Sequence, residues 1–413
     1  MPERHPVDTR PHRSILSVWE QQAHRYRVEL PEAVLIALSL YGIHDRLDSR
    51  VRLTLRPTVE GASPTDEHQV MVLTGRAGSP FRLHLAPDAT RESGLRPTGE
   101  LRVENTPVAI VTNIEADERP EGPLRADGRL AVIGPGAGSR CPGCGCPLSA
   151  VTSAPDFEGL RTRPLEECTR LLRTIADGLP PGRRLTDLEE VLLTTACCEA
   201  ETAVLVRARA LRQVLRAHDV PARISLVTCA LRSDQAFRLI AQDVAPALLL
   251  LSIEHFTRRP LLLPAGKASL TPTAMPGLLA HARAAGLDTS LTYSVGLDPL
   301  EELSRRLRAL APHLTVFPHL EVFQGRTPLT EALRVRGAHQ LAYYLRARRL
   351  IEEILAPHGL RPQPWPGART LWYGSFAGSP LTKGTSPMRN AHHPAPVSER
   401  LHGDAVPEPS RVR

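Results

Sequence analysis

The chain has 413 residues, with 51 Lys and Arg against 44 Asp and Glu, and 42% of it is hydrophobic. That length allows two or three domains with sizeable cores, and the composition is that of a soluble globular protein. No apolar run approaches the ~20 residues of a membrane span, and the net charge of +7 comes from arginines scattered over helical faces without interleaved aromatics, which argues against membrane and nucleic acid as partners.

Residues 1–13 are polar and Pro-containing, the pattern of a frayed end, and the opening MPERHPVDTR has no h-region, so no secretory signal is expected. Residues 14–48 carry helical signals: Ile15, Leu16, Val18 and Trp19, then Pro31-Glu32 opening the apolar run Ala33–Tyr41. From Arg50 to Ile114 the period changes to two. Val51, Leu53 and Leu55 alternate with polar residues, as do Val70 and Val72, then Phe81, Leu83 and Leu85, followed by Leu101-Arg102-Val103 and Val108–Val111. This predicts a small antiparallel region, which with the helices makes an N-terminal α+β domain over 14–124. Ala116–Gly128 reads as a linker.

After Arg129 strands and helices alternate. The strands read as Leu130–Ile133, Val191–Thr195, Arg223–Val227, Ala247–Ile253, Asp288–Tyr293 and Thr315–Phe317. The intervening helices read as Leu165–Asp177, Thr202–His218, Ser233–Ala241, Ala274–Ala285 and Leu300–Leu310, with His339–Ala356 after the last strand. Strands apolar throughout, such as Ala247–Leu251, belong in a parallel sheet covered by helices. The fold class predicted is α/β, a parallel sheet open or curled into a partial barrel over 125–382. From Lys383 the chain is polar and rich in Pro and His, a disordered tail over 383–413 whose pair His392-His393 reads as unliganded.

The chemistry concentrates in the loop after the first parallel strand, where Cys141, Cys144 and Cys146 fall within six residues. Thiolates converging on one point repel one another unless a cation or cluster neutralises them, so the loop reads as a metal site. Two groups compete. Cys141-Pro142-Gly143-Cys144-Gly145 is the turn of a zinc knuckle, which then needs a second pair of ligands. The remaining cysteines are Cys168, Cys197, Cys198 and Cys229, with no second CxxC. Three thiolates without an evident fourth fit better a [4Fe–4S] cluster with one open iron, and unliganded thiols are the remaining reading. Cys168, beside Leu165, Leu171 and Leu172, reads as core. Cys197-Cys198 reads as small buried hydrophobes, a redox pair, ligands to a second metal or a fourth zinc ligand.

Three thiols at this position resemble the loop of the radical SAM superfamily, and loosely its biotin-synthase-like members, over about residues 125–375. The chain has CxxCxC where that family has CxxxCxxC, and lacks the aromatic before the last cysteine. The resemblance implies a partial (β/α)6 TIM-like barrel and a [4Fe–4S] cluster on Cys141, Cys144 and Cys146. It further implies that the open iron binds S-adenosyl-L-methionine and cleaves it reductively to a 5′-deoxyadenosyl radical that takes hydrogen from a substrate. An electron donor such as a flavodoxin or ferredoxin is implied as partner. The seven cysteines, clustered rather than evenly spread, themselves suggest a reducing cytoplasm. At the strand ends the resemblance implies that Glu199 (or Glu201) meets the methionyl amine, that Ser225 and Glu254 serve the cofactor, and that Gly296 lies against the adenine. His319 and Tyr293 are candidates to face substrate. Arg369-Thr370-Leu371-Trp372-Tyr373 resembles closing segments of some family members. Apart from the family, a buried site for a sulfonium with an ammonium wants acids near the cations, and Glu199 and Glu254 qualify. The competing reading makes each a rim carboxylate paired with a neighbouring Arg, and Gly296 a plain turn glycine. Two other functions stand beside the radical enzyme: a zinc-knuckle barrel with a binding or structural role, and a cluster-holding partner subunit without cleavage.

Overall fold

The computed structural model describes residues 14–47, 50–63, 65–85, 99–116, 123–125, 128–134, 163–195, 199–362 and 369–381. The expected frayed end, the thiol loop, Cys197-Cys198 and the tail from Lys383 lie outside these residues.

Two helices open the described chain. α1 (Ile15–Tyr26) is capped by Ser14, whose hydroxyl accepts from the Ser17 amide at 3.2 Å. α2 (Leu30–Tyr41) has Pro31 in its first turn and is buried from there to Leu40, the polar Glu32 and Ser39 included, as a mostly apolar helix must be. Five antiparallel strands follow: β1 (Arg50–Pro57), β2 (His68–Leu73), β3 (Phe81–Leu85), β4 (Gly99–Val103) and β5 (Thr106–Ala116), in the order β2-β1-β5-β4-β3. Val51, Leu53 and Leu55 are buried while Arg52, Thr54 and Arg56 are half-exposed, the alternation of a sheet covered on one face.

The second sheet has the order β12-β11-β10-β9-β8-β7-β6. Its six parallel strands are β7 (Leu130–Ile133), β8 (Glu190–Thr194), β9 (Arg223–Thr228), β10 (Ala247–Glu254), β11 (Asp288–Val295) and β12 (His319–Val322), curled into a half-barrel. β6 (Leu124–Arg125), inside the stretch read as linker, pairs antiparallel with β7 and covers that edge. Between the strands run α3 (Pro164–Asp177), α4 (Glu201–Ala217), α5 (Asp234–Asp243), the single turns α6 (Arg259–Leu262) and α7 (Ala265–Ala268), α8 (Met275–Ala284) and α9 (Leu300–Leu310). After β12 come α10 (Pro328–Glu331), α11 (Leu341–Leu355) and a hairpin of β13 (Ser375–Phe376) and β14 (Ser379–Pro380). α3 shows why the helices sit outside: Cys168, Leu171, Leu172 and Ile175 are buried, the i, i+3, i+4, i+7 stripe of an amphipathic helix. Leu165, at the start of the helix, is exposed.

The sixth strand lies later than predicted. Thr315 and Val316 hydrogen-bond to the Thr289 carbonyl at 2.9 and 3.2 Å, but the ladder starts at His319. Pro318 explains the delay, because it has no amide to give to a central pairing.

One apolar cluster runs from Trp19 on α1 to Phe376 on β13 and takes in residues of both sheets. The boundary near residue 124 is therefore a change of topology and not a gap between cores.

Candidate functional site

The half-barrel has two faces, and alternation assigns each side chain to one of them. Val191, Leu193, Leu249, Leu251, Leu291 and Tyr293 join the large cluster with the helices. Leu130, Val132, Leu192, Val227, Leu248 and Leu250 form a separate small cluster on the opposite, concave face. Toward the C-terminal ends of the strands that face turns polar: by the same period it carries Thr194, Ser252, Thr292, Ser294, His319 and Glu321. All but His319 are buried. The register sets Ser252 beside Thr292, Thr292 beside His319, and Ser294 beside Glu321. An apolar floor under a polar upper layer, at the ends where parallel barrels collect their chemistry, makes this face the candidate site. The Thr194 hydroxyl on it is buried, and it has no hydrogen-bond partner among the described residues.

The end of β10 is the most constrained point. Glu254 has φ +66°, a left-handed conformation uncommon outside glycine. The His255 amide bonds back to the Ile253 carbonyl at 2.9 Å. This is a γ-turn, a strained geometry that persists only where the surroundings hold it. Several groups do so. Lys267 Nζ donates to Glu254 Oε1 at 2.6 Å, and Ser252 Oγ donates to the same oxygen at 3.1 Å. Arg259 Nη1 donates to the carbonyls of Ile253 and His255 at 2.6 and 2.7 Å, and its Nη2 to that of Lys267 at 2.7 Å. Asp298, just past β11, accepts from the amides of Phe256 and Thr257 at 2.7 and 2.8 Å and from the Thr257 and Tyr293 hydroxyls at 2.5 and 2.8 Å. Burial pushes the Glu254 carboxyl up, but the Lys267 ammonium and the hydrogen bonds prevail and hold it below the usual carboxylate range. His255 is buried, with the Thr257 backbone beside its ring. Burial lowers its pKa against the pull of Asp298, favouring the neutral ring.

The expected site residues do not converge on one open site. The Glu199 side chain is largely covered and ion-paired with Arg207 of α4, and Glu254 is paired with Lys267, so each carboxylate has a basic partner. Glu201 accepts from the amides of Arg232 and Ser233 at 2.7 and 2.9 Å and from the Ser233 hydroxyl at 2.9 Å, tying α4 to the start of α5. Ser225 sits low in β9, opposite Leu192, and donates to Glu190. Tyr293 packs on the helix side, 5.0 Å centroid to centroid from Phe256. His319 faces the concave side; the residue is half-buried but its ring is desolvated, and this with the Arg223 guanidinium pushes it down to about 3, leaving a neutral imidazole.

Gly296 follows β11 with φ +120°, and a Cβ there would come within 2.6 Å of the Tyr344 hydroxyl and 3.5 Å of Arg334 Nη1. The space beside it is thus filled by the chain's own α11. Gly296→Ala destabilises the fold by at least about 2 kcal/mol, from backbone strain and collision together, read as a lower denaturation midpoint. The double variant with Tyr344→Phe recovers part of the loss.

Cys141, Cys144 and Cys146, and with them Cys197-Cys198, lie outside the described residues. Among the described residues no group of three or more His, Cys, Asp or Glu is placed to hold a metal. Cys168 and Cys229 are free and buried. Burial pushes the Cys168 thiol up to about 12 despite the nearby Arg207, so it is a core thiol and not a ligand-like thiolate. Among the described residues no helix is long and apolar enough to cross a membrane.

Sequence reasoning missed Lys267, Arg259, Asp298 and the pair of Glu321 with Arg369. Lys267 did carry a signal: it and Lys383 are the only lysines among the chain's 51 Lys and Arg. A compact ammonium kept in an arginine-rich chain marks a place that the guanidinium fork does not suit.

No family model matches the chain, and no curated protein matches it.

Proposed function

We propose that the chain is a radical SAM-type enzyme, a partial (β/α)6 TIM-like barrel with a small N-terminal α+β domain, in which Cys141, Cys144 and Cys146 hold a [4Fe–4S] cluster. The single observation supporting this is one of order and place. Three thiols follow directly on β7, the first of six parallel strands, and the strands' C-terminal ends share a concave face that turns from apolar to polar. Bound there, the cluster and S-adenosyl-L-methionine would supply reductive carbon–sulfur cleavage and hydrogen abstraction from a substrate. The chain's own share is exclusion of water by the leucine floor and orientation by hydroxyls such as Thr194, Thr292 and Ser294. A soluble electron donor of the flavodoxin or ferredoxin kind and a cytoplasmic setting belong to the same reading.

As placed, Glu199 and Glu254 are engaged by Arg207 and Lys267 and do not offer a free carboxylate to an ammonium. This favours a second reading, a protein that keeps the cluster and lacks cleavage.

Anaerobically purified chain is expected to hold about four irons with matching sulfide and to absorb near ~400 nm. The Cys141→Ala/Cys144→Ala/Cys146→Ala variant loses all of it. Stoichiometric zinc without sulfide would replace both readings with the zinc-knuckle barrel. With the cluster present, release of 5′-deoxyadenosine under reductant separates enzyme from cluster-holding partner.

A further inference from the structure

Among the described residues β12 is the last strand of the half-barrel, with no further parallel strand beyond it. Its outer edge is met by the segment Arg369–Leu381. The Val322 amide donates to the Arg369 carbonyl at 2.8 Å, and the Arg369 side chain turns back to pair with Glu321. Glu321 alternates with Leu320 and Val322, which belong to the large cluster, so it stands on the concave, polar face. The segment thus covers an open sheet edge and neutralises a carboxylate of the candidate site.

What holds the segment down is on the N-terminal helix α2. Glu32 is buried there, and its Oε1 accepts from the amides of Tyr373, Gly374 and Ser375 at 2.9, 2.6 and 3.0 Å. Its Oε2 accepts from the Ser375 hydroxyl at 2.6 Å and from Arg348 Nη2 at 3.0 Å. Arg348, fully buried on α11, also donates to the carbonyls of Leu371 and Ser375 at 2.9 and 2.8 Å. Three successive amides on one carboxylate oxygen fix the backbone of the turn and not just a side chain. Trp372 adds packing, edge-on to Phe317 at 5.1 Å between centroids, with its indole N–H on Glu352 at 2.9 Å.

We propose that Arg369–Leu381 is a strap latched by Glu32 of α2 across the β12 edge, and that its seating governs the pairing of Arg369 with Glu321 on the concave face. The N-terminal helices then regulate the half-barrel's site through one carboxylate. The proposal rests on the concave face being the ligand side, as argued above; the latch itself is testable without any cofactor.

Hydrogen exchange on the full chain as purified tests it. Glu32→Gln raises exchange at Tyr373, Gly374, Ser375 and Val322 together by about tenfold or more, while β8–β10 amides keep their protection, the signature of a local opening. Ser375→Ala, which removes the hydroxyl's bond to Glu32 and the one it accepts from Arg348 but leaves the Glu32–Arg348 ion pair and the three amide bonds, opens the same amides by less and decides the matter where Glu32→Gln does not fold. Arg369→Gln speeds exchange at Val322 and leaves Tyr373–Ser375 latched. Release of Tyr373–Ser375 with Val322 unchanged would overturn the coupling. An equal rise throughout both sheets would make Glu32 a support of the whole core and end the latch. Iron content is independent of all three variants, so a failed latch and a failed cluster assignment are told apart.

Discussion

Lys267→Met lowers the stability of the fold by about 3–5 kcal/mol at neutral pH, the cost of leaving one member of a buried ion pair alone. Lys267 and Glu254 are each buried, and the side chain of methionine is close enough in length to fill the space. The loss therefore reports charge and not a cavity. In the wild type the ammonium and hydrogen bonds keep the Glu254 carboxyl low against burial. That contribution is present above the carboxyl's unfolded pKa and is lost as pH falls through its lower folded one. In Lys267→Met the sign reverses. Burial now dominates, the folded carboxyl rises, and the variant comes closest to wild type in acid. The Lys267→Met/Glu254→Gln double variant recovers most of the loss at neutral pH, because no unpaired charge remains. Lys267→Arg keeps the charge but brings a planar fork to a site shaped for an ammonium, and falls between. Urea midpoints at two pH values check the series. A single variant within about 1 kcal/mol of wild type at neutral pH would show that the pair contributes no net stability, as exposed pairs do not.

The elements were legible where periodicity is strong. Leu130–Ile133 and Leu300–Leu310 agree to the residue, and the five N-terminal strands fall on the alternating runs. The miss at β12 has a local cause: Thr315-Val316-Phe317 is β-branched and aromatic, as a strand should be, but Pro318 defers the ladder to His319. β6 was hidden because two residues are too short to show a period. At the site, sequence position located the strand ends but not their partners. Glu199 and Glu254 were read as acids for a ligand or as paired rim carboxylates, and each has a buried cation beside it. Arg207 lies one helix turn or two into α4, within reach of a local reading. Lys267 comes from a single turn separated from β10 by another, where no periodic signal exists. The clasp of Glu32 to Ser375 spans 343 positions. No local pattern announces such a contact; only the packing of α2 against the strap creates it.

The other large effect falls on Asp298. It is fully buried and collects four donors: the amides of Phe256 and Thr257 and the hydroxyls of Thr257 and Tyr293. Asp298→Ala leaves all four without their acceptor, and at about 1–3 kcal/mol for each buried unmade bond the loss is at least about 4 kcal/mol after allowing for non-additivity. Asp298→Asn keeps one acceptor oxygen but turns an NH₂ toward a donor, and loses about half as much. Tyr293→Phe removes one bond and costs about 1 kcal/mol. The effect reaches the site through the backbone. The two amides held by Asp298 lie directly after the γ-turn at Glu254, so their release lets φ at Glu254 leave +66° and slackens the pair with Lys267. Amide exchange at His255, Phe256 and Thr257 therefore rises in the order Tyr293→Phe, Asp298→Asn, Asp298→Ala, in step with the denaturation midpoints. A large fall in midpoint with these three amides still protected would place the role of Asp298 elsewhere, at the Tyr293 hydroxyl and the core around it. The expected order instead makes Asp298 the positioning residue for the end of β10, where strain, a buried ion pair and a buried neutral imidazole meet.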